Sequence, residues 1–257
     1  MIQAVLWDMD GTLLDFLAAE KNAIRACLAR HGGYACTDAQ IARYSAINTK
    51  YWKRLERGEL TKPEVLRGRF EEFFGEEGFA VDIDAFNRDY QLALGDTIVF
   101  FDRADELLAR LKPLCRQYLV TNGTRTAQEK KLARSGIGAL VDGVFISDVV
   151  GAEKPSAAFF DRVFAEIPEG RAETIIVGDS LTSDIRGGVT AGIRTCFYNP
   201  QGMRNDSGIP VTWEIRNLWE VERILQTENG QKKPSARLLF TLYTGSATLA
   251  GTPARTV

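Results

Sequence analysis

The sequence predicts an α/β protein: a mostly parallel β-sheet core covered by helices, with an all-helical segment inserted after the first strand. Three observations lead there. Residues 2–7 (IQAVLW) are a short apolar run of the kind that forms a strand buried on both faces. From about residue 100 onward, short β-branched runs alternate with helical patterns, which is the rhythm of βαβ units. Between them, in residues 16–95, apolar side chains recur at helical spacing. Because the first strand has to join the later sheet, the core is read as residues 1–15 and 96–226, the helical cap as 16–95, and the remainder, 227–257, as a poorly ordered tail.

Each element has its own signal. In the insertion, Ala23, Ile24, Cys27 and Leu28 share one helical face, as do Phe70, Phe73 and Phe74, and then Phe86, Tyr90 and Leu94. Gly32-Gly33, Gly58 and Gly75 punctuate these helices, and Thr61 with Pro63 restarts one. In the core, a helix over 104–111 precedes a strand over 117–121, and a helix over 126–135 is stopped by Gly136. A strand over 143–146 leads to a helix over 156–166, and a strand over 174–178 to a helix over 182–191. Strands over 194–198 and 210–215 and a helix over 218–225 complete the alternation. Residues 227–257 are rich in Thr, Ala and Gly, and only LLFTLYT among them has strand character.

Composition narrows the chemistry. A net charge of −2 over 257 residues gives no basic field for a nucleic-acid polymer, and no apolar run is long enough to span a bilayer. The N-terminus has no charged leader region and meets Asp8 at once, so a cytoplasmic protein is expected. Cys27, Cys36, Cys115 and Cys196 form no CxxC pair and read as reduced thiols. The single histidine, His31, lies beside Gly32-Gly33 and is expected to face the last carbonyls of a helix. Histidine triads and multi-histidine metal centres are therefore not expected, and catalysis falls to carboxylates, lysine or a hydroxyl.

The polar residues gather where a parallel sheet would use them, just beyond the carboxyl ends of four strands. These ends carry Asp8-Met9-Asp10-Gly11-Thr12, Thr121-Asn122-Gly123, Ser147-Asp148 leading to Lys154-Pro155, and Gly178-Asp179-Ser180 with Asp184 a helical turn onward. Taken singly, the Thr121 segment is an ordinary turn, Lys154 a solvated charge and Asp184 an acid favoured by a helix dipole. Taken together, Asp8, Asp10 and Asp179 outnumber Lys154, and the imbalance suits a hard divalent cation held by oxygen, with Mg²⁺ as the expected cofactor. An anionic group would then meet the cation, Lys154 and the Thr121 hydroxyl. In that setting Asp8 attacks phosphorus to form an aspartyl phosphate. Asp10 protonates the leaving oxygen and later takes a proton from the hydrolytic water.

DMDGT, TNG, KP and GDSLTSD, in this order, resemble the four motifs of the haloacid dehalogenase (HAD) superfamily of phosphohydrolases, over roughly residues 1–226. The resemblance implies a Rossmann-like core with a C1-type cap at 16–95 and a small phosphorylated metabolite as partner. It implies Asp8 as nucleophile, Asp10 as acid/base, and Thr121, Asn122 and Lys154 around the phosphate. It also implies Asp8, the backbone carbonyl of Asp10, and Asp179 as metal ligands, with Asp184 behind them. GDSLTSDIRGG with NTKYWKRLERGELT looks most like the pyrimidine 5′-nucleotidase branch. Nucleoside 5′-monophosphates are thus the expected substrates. The alternatives are sugar phosphates or other small metabolites, or a phosphomutase on the same scaffold; a dehalogenase would not need Asp10. Of the insertion aromatics Tyr44, Tyr51, Trp52, Phe70, Phe73 and Phe74, most are expected to pack helices and one or two to line a pocket. Asn48 and Arg69 are expected at the edge of a base. Oligomeric state stays open between monomer and dimer.

Overall fold

Strand β1 (Ala4–Trp7) is buried on both faces, with every side chain fully enclosed. Its alternation divides the molecule: Val5 and Trp7 enter one apolar layer, Ala4 and Leu6 the other. In the computed structural model, which describes residues 1–230, the elements after β1 are α1 (Phe16–Gly32), α2 (Asp38–Glu56), α3 (Lys62–Glu77), α4 (Ile83–Leu94) and α5 (Ala104–Leu111). They are followed by β2 (Arg116–Thr121), α6 (Arg125–Ser135), β3 (Gly143–Ile146), α7 (Ser147–Val150) and α8 (Ala157–Glu166). Then come β4 (Thr174–Gly178), α9 (Arg186–Thr190), β5 (Arg194–Tyr198), β6 (Trp213–Ile215) and α10 (Glu220–Glu228).

The sheet is fully parallel, in the order β3-β2-β1-β4-β5-β6. Trp7 lies level with Leu119 of β2 and Val177 of β4. The chain therefore builds outward from β1 to β3 on one side and from β4 to β6 on the other. The reversal opens a crevice at the carboxyl end of β1, where open α/β sheets bind their ligands.

Helices α1–α4 have an apolar core of their own, built on Ala23, Ile24, Tyr44, Phe70, Phe73 and Phe86 among others. Well-formed ends explain why these segments are helical. Thr37 caps α2 in a reciprocal capping box with Gln40, Asp82 accepts from Ala85 N at the start of α4, and Gly78 closes α3 in the left-handed region. The chain enters and leaves the helical insertion side by side: Asp15 N donates to Val99 O at 2.8 Å and Phe101 N to Leu13 O at 3.0 Å. A second tie lies farther out, where Lys62 at the start of α3 donates to Ser147 Oγ at 2.6 Å and Asp148 Oδ1 at 2.5 Å.

Several expectations change in detail. β1 starts at Ala4 rather than residue 2, and the strand expected over 210–215 is paired only across Trp213–Ile215. The helix expected over 182–191 begins as a π-helical turn, Leu181–Ile185, before α9 takes over. Helix α7 went unread because four residues make only about one helical turn, too short for an apolar position to recur. His31 does sit in the last turn of α1, but its ring faces Asp89 of α4, Nε2 to Oδ2 2.9 Å, instead of the helix carbonyls. The tail expected from 227 starts too early: α10 runs to Glu228, and Asn229 bonds both ways with the backbone of Ile2, at 2.7 Å and 2.9 Å. The LLFTLYT run lies outside the described residues.

Asn229 thus joins the far end of the chain to the strand that begins it. Asn229→Ala should lower unfolding free energy by about 1–2 kcal/mol, the worth of two partly buried hydrogen bonds. Urea denaturation followed by circular dichroism checks this.

Candidate active site

At the carboxyl end of β1 the chain must turn sharply so that Asp8 and Asp10 both face the crevice. Gly11 makes the turn with φ of +97°, and a Cβ there would stand 2.6 Å from an Asp179 carboxylate oxygen. Only glycine meets both demands. Thr12 then returns its hydroxyl to the site, 3.0 Å from Asp8 Oδ2 and 3.2 Å from Asp179 Oδ1, and accepts from Asp179 N at 3.1 Å. Its single proton can serve one of those carboxylates at a time.

Lys154 is 1 % exposed, and its ammonium is fully used. Nζ donates to Asp8 Oδ1 at 2.7 Å, Asp184 Oδ1 at 2.7 Å and Val120 O at 2.8 Å. Asn122, expected at the phosphate, is spent on placing this lysine. Its Nδ2 donates to Lys154 O and its Oδ1 accepts from Lys154 N, both at 2.8 Å. Its side chain thus fixes the backbone of Lys154. Thr121 is free to bind: its Oγ1 accepts from Gly123 N at 3.1 Å and Gln128 Nε2 at 3.2 Å, which leaves the hydroxyl proton available.

Asp8, Asp179 and Asp184 each offer an oxygen, and these oxygens lie within 4.8 Å of one another. The sequence reading set Asp184 behind the others; the π-helical turn brings it into the cluster, with Oδ2 accepting from Ser180 N at 3.1 Å. Burial pushes the Asp8 carboxyl up to about 7, with Lys154 opposing and Asp184 and Asp10 adding to the rise. Asp179 is raised well above the carboxylate range by burial and by Asp8, and Asp184 is raised by burial. Burial pulls Lys154 down, but Asp184 and Asp8 outweigh it and keep the ammonium charged. Two buried carboxylates, Asp8 and Asp184, and the half-buried Asp179 thus share one cation, in an oxygen-only donor set that fits a hard divalent metal.

Asp10 has a separate setting. Its side chain turns to α6, accepting from Lys131 Nζ at 2.5 Å and Gln128 Nε2 at 2.6 Å. Neither residue stands out in the sequence, where both look like the polar face of a helix. A cleft of about 690 Å³ runs from Asp8 and Asp10 to the insertion, which contributes Phe16, Leu17, Trp52 and Lys53. Glu56 of α2 also reaches the site, accepting from Ser180 Oγ at 3.4 Å and from Thr182 Oγ1. Of the aromatics named from the sequence, Trp52 alone lines this cleft, and Tyr44, Phe70, Phe73 and Phe74 are core. Asn48 and Arg69 line it too, and most of their polar groups are turned to one another and to neighbouring residues, with Arg69 Nε left without a partner among the described residues. Asn48 donates to Glu20 at 2.7 Å and accepts from Arg69 at 2.8 Å, and the guanidinium lies over the Phe70 and Tyr90 rings.

The haloacid dehalogenase-like hydrolase family matches residues 2–192. The chain belongs to that family. HAD-hydrolase YfnB of Bacillus subtilis is 38% identical over 228 residues, 88% of this chain and 97% of the relative. Its magnesium-bound crystal structure, described as revealing interdomain movement, aligns with a TM-score of 0.83 at 36% identity, covering 87% of this chain and 98% of that one. Pyrimidine 5′-nucleotidase PynA of Streptococcus pneumoniae is 36% identical over 216 residues, 82% of this chain and 90% of the relative. An L-2-haloacid dehalogenase from Xanthobacter autotrophicus, at 19% identity and a TM-score of 0.72 over 88% of this chain and 99% of that one, shares the fold. This HAD-like hydrolase is an enzyme of the phosphatase type, a phosphoric monoester hydrolase. Among the described residues no helix is long and apolar enough to cross a membrane.

The raised carboxyls make stability depend on pH. An acid whose folded value lies above its unfolded one binds more protons in the native state, so stability falls as pH rises between the two values. For Asp8 that window is about 4 to about 7. In EDTA, the protein should be less stable to urea at pH 7.5 than at pH 5, and Asp8→Asn should reduce the difference, with Asp179 and Asp184 supplying what remains. A second expectation follows from the turn: Gly11→Ala should abolish activity and lower Tm, measured by turnover and scanning calorimetry.

Proposed function

We propose that this enzyme is a Mg²⁺-dependent phosphomonoesterase that works through an aspartyl phosphate on Asp8, with nucleoside 5′-monophosphates, pyrimidine ones first, as substrates. The observation that carries the mechanism is the divergence of two carboxylates only two residues apart. Asp8 enters the three-acid cluster beside Lys154, and Asp10 enters the Lys131–Gln128 cradle, on the same cleft. Different surroundings for neighbouring acids are how one site assigns a nucleophile and a proton carrier.

Asp8 and Asp179 hold the metal in this reading, together with the Asp10 backbone carbonyl, and Asp184 supports them. When bound, Mg²⁺ offsets the carboxylate charge and polarises the phosphoryl group. Asp8 supplies the attacking oxygen. Thr121 donates its free O–H to the phosphoryl oxygens, and Lys154 fixes Asp8 in place and adds positive charge beside it. Asp10 gives a proton to the departing oxygen, then accepts one from the water that frees the phosphate.

Substrate choice rests on the insertion, which follows the nucleophile loop directly and roofs the cleft. Phe16 and Trp52 offer aromatic faces to a planar leaving group. Similarity to the pneumococcal pyrimidine 5′-nucleotidase supports the same substrate class. Residues 16–95 are proposed as the cap, and residues 1–15 and 96–226 as the catalytic core.

Asp8→Asn should reduce turnover at least about 10⁴-fold while leaving the circular dichroism spectrum unchanged. EDTA should silence the wild type and Mg²⁺ restore it; full activity in metal-stripped protein would contradict the mechanism. For the substrate, kcat/KM should be higher for uridine and thymidine monophosphates than for adenosine monophosphate, and higher for these than for glucose or glycerol phosphates. A sugar phosphate that equals the nucleotides removes the nucleotide claim, and an adenosine compound in the lead removes only the pyrimidine claim.

A further inference from the structure

Asp10 is held by one helix, and that helix is held by the insertion. We infer that Lys131 and Gln128 of α6 are positioning residues for proton transfer by Asp10, kept in register by the helical insertion; the inference rests on the phosphatase reading above.

The two side chains lie three positions apart, so they project from the same face of α6. Between them they engage both oxygens of Asp10, Lys131 Nζ on Oδ1 and Gln128 Nε2 on Oδ2. Lys131 is 2 % exposed and Gln128 fully buried. Ordering and desolvating two long polar side chains costs free energy that an ordinary surface ion pair does not repay. Gln128 shows this most clearly. Its Oε1 has no partner among the described residues, a burial that stability alone would avoid by using an apolar side chain. What the amide supplies is its donor, shared between Asp10 and the Oγ1 of Thr121 at 3.2 Å. The neighbouring loop is shaped around that donor: a Cβ on Gly123 would stand 1.7 Å from Gln128 Nε2.

The same helix is gripped from the insertion at three successive points. Thr124, its N-cap, donates to Gln91 Oε1 of α4 at 2.7 Å. Ala127 is buried in the apolar cluster of α1–α4, the one buried member described there from outside residues 16–95. The Lys131 ammonium lies 5.4 Å from the centre of the Phe16 ring, at the first residue of α1. A displacement of the insertion therefore reaches the two groups that hold Asp10.

The chemical consequence follows the proton. As an oxygen of Asp8 bonds to phosphorus and the bond from phosphorus to the ester oxygen breaks, Asp10 passes its proton to that oxygen, and a neutral alcohol leaves. Asp10 remains as a carboxylate whose two oxygens face Lys131 and Gln128, the arrangement seen here. It is then placed to accept the proton of the water that attacks the aspartyl phosphate.

The test uses leaving groups. An alkoxide needs a proton to depart, whereas p-nitrophenolate does not, and kcat/KM reports the steps through departure. In Lys131→Met and Gln128→Leu, kcat/KM for uridine monophosphate should fall by about 100-fold or more, and for p-nitrophenyl phosphate by less than about 10-fold. Lys131→Arg should recover part of the loss, and Gln128→Leu should keep the wild-type Tm. Gln91→Leu should shift the ratio of the two esters in the same direction. If Lys131→Met does not fold, Gln128→Leu carries the comparison. Equal losses on both esters, or an unchanged uridine monophosphate rate, would overturn the inference. A wild type that hydrolyses neither ester would instead overturn the phosphatase reading beneath it.

Discussion

The Lys154 ammonium is the interaction on which the rest of the site depends. It touches the ends of three strands' worth of structure: Asp8 beyond β1, the Val120 carbonyl in β2, and Asp184 in the turn beyond β4. Without it, three clustered carboxylates, two of them buried, would face one another in a medium of low polarity, where isolated charge is expensive. With it, the cluster is still short of positive charge. That residual deficit suits a hard divalent cation. The supporting residues follow from the same need: Asn122 fixes the backbone of Lys154, and Thr12 spans Asp8 and Asp179.

Much of this was legible in the sequence because the residues concerned lie just after strands. A buried strand is easy to recognise, and the parallel sheet brings every strand end to one edge, so Asp8, Asp10, Thr121, Lys154 and Asp179 could be placed together before any geometry was available. The insertion was legible for a related reason: three helical stripes of apolar residues have no strand among them. What stayed hidden depends on direction rather than position. Asn122 sits in the expected loop, yet its amide turns back on Lys154. Asp184 occupies the expected turn, but a π-helical turn advances it into the acid cluster, and no residue type announces that geometry. Gln128 and Lys131 belong to a helix with a polar sequence, so their burial becomes visible only when α6 is packed against both the sheet and the insertion.

The insertion's aromatic content illustrates the difference between composition and role. Tyr44, Phe70, Phe73, Phe74, Phe86 and Tyr90 stack and cross one another, in pairs whose ring centres stand 4.9 to 6.4 Å apart. They form the interior that four short helices need in order to keep a fixed shape. Arg69 is part of that interior too, its guanidinium lying over two rings and its two terminal nitrogens directed at Asn48 and Asn87. Phe16 and Trp52 are left for the cleft, supported from behind by a packed scaffold.

The side-by-side entry and exit of the insertion, Leu13–Asp15 against Val99–Phe101, makes the cap a replaceable cassette. Both ends of the excursion are already fixed as neighbours by backbone hydrogen bonds, so the entropy of closing the loop grows only slowly with what lies between them. A lineage could therefore lengthen, shorten or exchange the cap while the sheet and its acid cluster stay as they are. Chemistry and selectivity would then change on separate evolutionary schedules, the first confined by the crevice and the second free to explore any fold whose ends meet at that doorway.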